Sequence, residues 1–140
     1  MEGLGVASSI IAVIDLSAKV ASLCYQYSVV VKNAKADIER LQREINQIKD
    51  VLEDVQQLLN RPGEDCLPAS RKLQQPLNGY CLKLNELKNE LEPGNTRKAM
   101  SRVGLRALRW PFKSNEVEKT ISHLERYKQT FCLALQVDQV

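Results

Sequence analysis

"ADIERLQREINQIKDVLEDVQQLL", residues 36 to 59, decides the fold class. Ile38, Leu41, Ile45, Ile48, Leu52, Val55 and Leu59 follow one another at alternating steps of three and four. That spacing puts them on one narrow stripe of a helix, with Glu, Arg, Gln and Asp over the remainder. Burying such side chains yields about 1.5–3 kcal/mol each, while ordering the backbone costs about 1–2 kcal/mol per residue. A helix of this length is therefore not stable alone, and the stripe predicts partner helices. Arg61-Pro62-Gly63 ends the segment.

Towards the C-terminus the pattern repeats. A segment opening at Pro68 carries Leu73, Leu77, Tyr80, Leu84, Leu87 and Leu91 at helical spacing, with Pro76 inside it. Proline removes one helix hydrogen bond and crowds the preceding turn, which predicts a kink or a restart there. Glu92-Pro93-Gly94-Asn95 closes this helix. A short basic piece, 97 to 109, leads to Trp110-Pro111-Phe112. The last helix is expected from Ser114, read as its N-cap, with Glu116 and Glu118 in the first turn and Val117, Ile121, Leu124, Phe131 and Leu135 on its apolar face. The expectation is an all-α helical bundle of four long helices plus one short helix, forming a single domain over 1–140.

Towards the N-terminus lies "GVASSIIAVIDLSAKVASLCYQYSVVV", residues 5 to 31. It is apolar around most of a helical circumference and leaves one polar stripe: Ser8, Asp15, Lys19, Ser22 and Gln26. Asp15 and Lys19 stand four apart in the order that favours a helical ion pair. One reading makes this the central helix of the bundle, buried on most sides, with its stripe in solvent. The other makes it a membrane helix. For a single chain, Leu4, Val6, Ile10, Ile11, Val13, Ile14, Leu16 and Val20 supply roughly −2 to −5 kcal/mol towards insertion, against roughly +5 to +7 for the two charges. One chain alone does not insert. In an assembly whose polar stripes share a wet lumen, the charges need not be desolvated.

The bulk composition excludes several classes. Twenty basic and 17 acidic residues leave a net charge of +3, which does not by itself imply nucleic acid. Arg97, Lys98, Arg102, Arg106, Arg109 and Lys113 cluster with no acid between Glu92 and Glu116. This basic stretch is open to three readings: a plug at the bundle end made by its apolar residues, contact with anionic lipid through Arg102, Arg106, Arg109 and Lys113, or nucleic-acid binding. The last lacks both a known module and interleaved stacking aromatics, so no nucleic acid is expected. Cys24, Cys66, Cys81 and Cys132 form no C-x-x-C pair, which argues for reduced, mostly buried thiols and against a metal site. There is no Gly-rich phosphate loop and no H-E-x-x-H, and His123 reads as a partly exposed surface residue. No catalytic residue, cofactor or metal is expected, and the protein is read as no enzyme. The opening Met-Glu-Gly lacks the basic start of a secretion signal, which suggests the cytosol.

Five stretches together resemble the HeLo-like N-terminal domain of fungal NLR-type (STAND) receptors and related cell-death proteins: "MEGLGVASSIIAVIDLSAKV", "IERLQREINQIKDVLEDVQQLL", "PLNGYCLKLNELKNELEP", "ALRWPFK" and "VEKTISHLERYKQTFCLALQVD". The resemblance covers nearly the whole chain. It implies the N-terminal part of a longer protein of innate immunity, heterokaryon incompatibility or programmed cell death. Such a domain is soluble until a downstream receptor or prion-like module clusters it into a homo-oligomer, and then it permeabilises a membrane through its N-terminal helix. Carried over, that role falls on Gly3 to Val20. The implied location is cytoplasmic at rest and the plasma membrane on activation. The alternative is an adaptor bundle that oligomerises without touching membrane.

Overall fold

The computed structural model describes residues 2–59, 67–92 and 110–138, with side chains described for 8–59, 72–92 and 110–136. The described residues form four helices and no strand: α1 (Glu2–Val30), α2 (Lys35–Leu59), α3 (Leu67–Leu91) and α4 (Ser114–Asp138). The expected short helix at 97 to 109 lies outside them, as does the Pro-Gly turn after α2.

The apolar stripes account for the packing. In α2, Ile38, Leu41, Ile45, Ile48, Leu52 and Val55 are buried as their spacing predicts. The last step differs: Leu58 is buried and Leu59 only partly, because a straight helix at 3.6 residues per turn drifts off a strict seven-residue repeat. In α3, Leu73, Leu77, Tyr80, Leu84, Leu87 and Leu91 are all buried, and the helix runs unbroken through Pro76 without a restart. In α4, Val117, Ile121, Leu124 and Phe131 are buried while Leu135 is partly so.

The α4 start falls one residue before the expected cap. The Val117 N–H donates to the Lys113 carbonyl at 3.0 Å, and the Lys113 N–H donates to Glu116 Oε1 at 3.1 Å. Lys113 thus holds the cap position and Glu116 reaches back to it, which is half of a capping box. Ser114 is already inside the helix and instead donates its hydroxyl to Asp37 Oδ2 on α2 at 2.7 Å.

Helix α1 packs on α2 and α3, and α4 packs on the same two from the opposite side. Side-chain pairs give the directions. Ser17 meets Tyr80 and, further along, Tyr27 meets Leu91, so α1 and α3 run parallel. Asp37 meets Ser114, Arg40 meets Glu118 and Gln47 meets Lys128, so α2 and α4 run parallel. The core between them holds the edge-on pair Tyr80–Phe131, with ring centroids 5.9 Å apart. Tyr127 stacks on Phe131 and crosses over Gly79, where an added Cβ would stand 2.6 Å from the phenol oxygen. That close approach is where α3 and α4 can come together.

The candidate membrane helix and the bundle end

Helix α1 occupies a corner of the bundle and not its centre. Its stretch Ser8–Val30 is long and apolar enough to cross a membrane, yet only 39% of the 18-residue apolar window within it is buried. The expectation of a central helix covered on most sides is corrected by the arrangement: two neighbours cover one side, and the rest faces solvent. Ile10, Val13, Val20, Ala21, Cys24 and Tyr27 point into the core, as does Ser17, whose hydroxyl donates to the Val13 carbonyl at 2.8 Å.

Of the residues proposed for membrane action, Ile10 and Val13 are buried, Ile14 and Leu16 are partly buried, and Ile11 is 47% exposed. The side chains of Leu4 and Val6 lie outside the described set. The polar stripe falls where the wheel places it, with Ser8, Asp15, Lys19, Ser22 and Gln26 all exposed. The solvent side is not polar throughout, however. Tyr25 and Val29 are 59% and 64% exposed and, with Ile11, continue the face past the stripe.

The Asp15–Lys19 pair does not form. Lys19 Nζ turns to Glu92 Oε1 at 3.1 Å, and Lys88 stands 4.0 Å from the same oxygen. The reason is positional: α3 ends beside α1, and its last turn offers Glu92 to a lysine that would otherwise reach back along its own helix. This pair joins α1 to α3 at the surface, where an ion pair contributes only about 0–1 kcal/mol.

At the bundle end, Trp110 and Phe112 are partly buried against the core. Trp110 meets Tyr27 edge-on at 5.4 Å and Phe112 edge-on at 5.2 Å. These two residues supply part of the plug expected from Val103, Leu105, Leu108, Trp110 and Phe112. Lys113 is exposed. Arg102, Arg106 and Arg109 lie outside the described residues, with Val103, Leu105 and Leu108.

Sequence reasoning missed a buried charge. Glu44 is 8% exposed, and its Oε1 lies 3.1 Å from Lys128 Nζ, a contact ion pair without the alignment of a hydrogen bond. Lys128 also donates to Gln47 Oε1 at 2.9 Å. Nearby Tyr80 is pushed well above its ordinary value, first by burial and then by the Glu44 charge, with the contact to Ser17 pulling the other way. Glu44 stands at the edge of the α2 stripe, where the pattern reads it as solvated. Only its meeting with α4 buries it.

His123 is exposed and borders an open groove of about 400 Å³ with Gln75, Pro76, Arg126, Tyr127 and Thr130. Cys24 is buried and Cys81 and Cys132 partly so, all three as free thiols; Cys66 lies outside the described residues. Among the described residues no three His, Cys, Asp or Glu side chains gather as metal ligands do.

Residues 1–139 match the family described as "Pigment biosynthesis cluster protein PigL N-terminal". No curated protein and no solved structure matches the chain.

Proposed function

The chain belongs to that family, and on this footing we propose that it is a HeLo-like effector domain: a resting helical bundle that, once clustered, releases α1 and permeabilises a membrane. The observation that carries this reading is the surplus of apolar surface on α1. Ile11, Tyr25 and Val29 stand in solvent on a helix long enough to span a bilayer, where the resting fold has no use for them.

Release has a cost that fixes the mechanism. Withdrawing Ile10, Val13, Val20, Cys24 and Tyr27 from the core forfeits about 1.5–3 kcal/mol for each large side chain, and the charges of Asp15 and Lys19 add roughly 5–7 kcal/mol for a lone chain entering lipid. An assembly lowers the second term by placing the polar stripe on a shared lumen. Clustering by a downstream receptor or prion-like module of the same or a partner protein is therefore part of the proposal, as are homo-oligomer formation and anionic lipid as the target. In this reading the protein is not an enzyme and rests in the cytoplasm until recruited to the plasma membrane.

The deep seating of those five residues also favours a second reading, in which α1 never leaves and the bundle is an oligomerising adaptor. Leakage from anionic vesicles separates the two. Artificially clustered chains release a trapped dye under the first reading, and self-associate without leakage under the second.

A further inference from the structure

Tyr27 stands where α1, the end of α3 and the approach to α4 meet. It is 2% exposed, and its hydroxyl donates to the Leu91 carbonyl at 2.9 Å. Leu91 is the last residue of α3, so the phenol caps a carbonyl that the helix itself leaves without a partner. The Tyr27 ring meets Trp110, which meets Phe112. Further down α1, Lys19 pairs with Glu92, the neighbour of Leu91. From Cys24 to Val31, the buried side chains are Cys24, Tyr27 and Val31. Tyr27 thus carries the polar and aromatic contacts that hold this half of the helix down.

Trp110 makes the arrangement poised. Its indole Nε1–H is buried with no acceptor among the described residues. A buried donor without a partner is destabilising, and the indole regains one whenever the ring reaches water or a bilayer interface, which tryptophan favours.

We infer that Tyr27, Leu91, Trp110 and Phe112 form a clasp that sets how readily α1 leaves the bundle: the C-terminal half of α1 opens where Trp110 leaves Tyr27, before the other helices separate. The inference rests on the proposed role of α1 and names what restrains it.

The full chain with Tyr27→Phe, which keeps the ring and removes only the hydroxyl, tests it by native-state amide hydrogen exchange. Residues 24–31 are expected to exchange about fivefold faster, while the buried stretch of α2 is unchanged. Trp110 is the sole tryptophan, so its emission reports the clasp directly and is expected to shift to the red. Phe112→Leu, which loosens Trp110 without touching Tyr27, is expected to act in the same direction. Exchange unchanged at 24–31 in both variants, or accelerated equally in all four helices, overturns the clasp. Vesicles of phosphatidylcholine with about 30% phosphatidylserine supply the second arm. Clustered Tyr27→Phe chains leaking at a lower degree of clustering than the parent support the inference. Local acceleration with no leakage from either chain retains the clasp as a restraint and refutes the membrane role of α1 instead.

Discussion

Helices α1 and α2 lie against each other, yet they spend their apolar residues differently. In α2 nearly every large apolar residue is buried and the exposed positions are, apart from Ala36, Glu, Arg, Lys, Asp and Gln. In α1 the buried set is complemented by Ile11, Tyr25 and Val29 in solvent. Both helices fill the same core, so burial accounts for nearly all of α2 and for α1 only in part. In the proposed reading, the excess on α1 is what a second state, in lipid or in an assembly, uses.

The largest effect expected from this difference is in the core. Leu52→Ala removes a fully buried side chain and is expected to cost about 2–5 kcal/mol. Ile11→Ala on the free face of α1 stays within about 0.5 kcal/mol. Urea unfolding of the two variants checks this, and a large loss at Ile11 would mean that the exposed face is structural after all.

Two of the interhelical ion pairs sharpen the same contrast. Lys128→Met leaves Glu44 buried without its cation and is expected to cost about 1–3 kcal/mol. Adding Glu44→Gln is expected to restore part of that loss. Lys19→Met breaks an exposed pair with Glu92 and is expected to change stability by less than about 1 kcal/mol. Thermal melts of the three variants measure these differences.

A pH dependence follows from Tyr80. Its hydroxyl ordinarily titrates at 10.0 and is raised in the fold, chiefly by burial. Above that pH the unfolded chain gives up a proton that the native chain keeps, so the unfolded state binds fewer protons and stability falls as pH rises. Below pH 10.0 the contribution is intact. Above it, the loss is about 1.4 kcal/mol per pH unit, until the raised native value is reached. Chemical denaturation across this range, compared with Tyr80→Phe, isolates the slope.

The stripes of α2, α3 and α4 were legible because burial at 3.6-residue spacing leaves its mark on the local sequence. The same local logic named the solvent-facing positions Ser8, Asp15, Lys19, Ser22 and Gln26. What it does not contain is which helix stands beside which. Lys19 was assigned to Asp15 because both lie on α1, and the actual partner, Glu92, comes from the end of α3. Glu44 read as solvated because its cation sits on α4. The corner position of α1 was hidden for a related reason: an apolar circumference suits a central helix and a membrane helix equally, and only the arrangement of neighbours tells how much of it the fold covers.

The surplus surface of α1 is tested most directly by its own environment. An environment-sensitive fluorophore on a cysteine at residue 11, in chains with the native cysteines replaced, is followed on anionic vesicles before and after clustering. A second label at Glu39, exposed on α2, serves as reference. On clustering, the label at 11 is expected to take on a lipid-like emission as the vesicles leak, while the label at 39 remains aqueous. Leakage with the label at 11 still in water would contradict the account, as would clustered chains that neither leak nor move it.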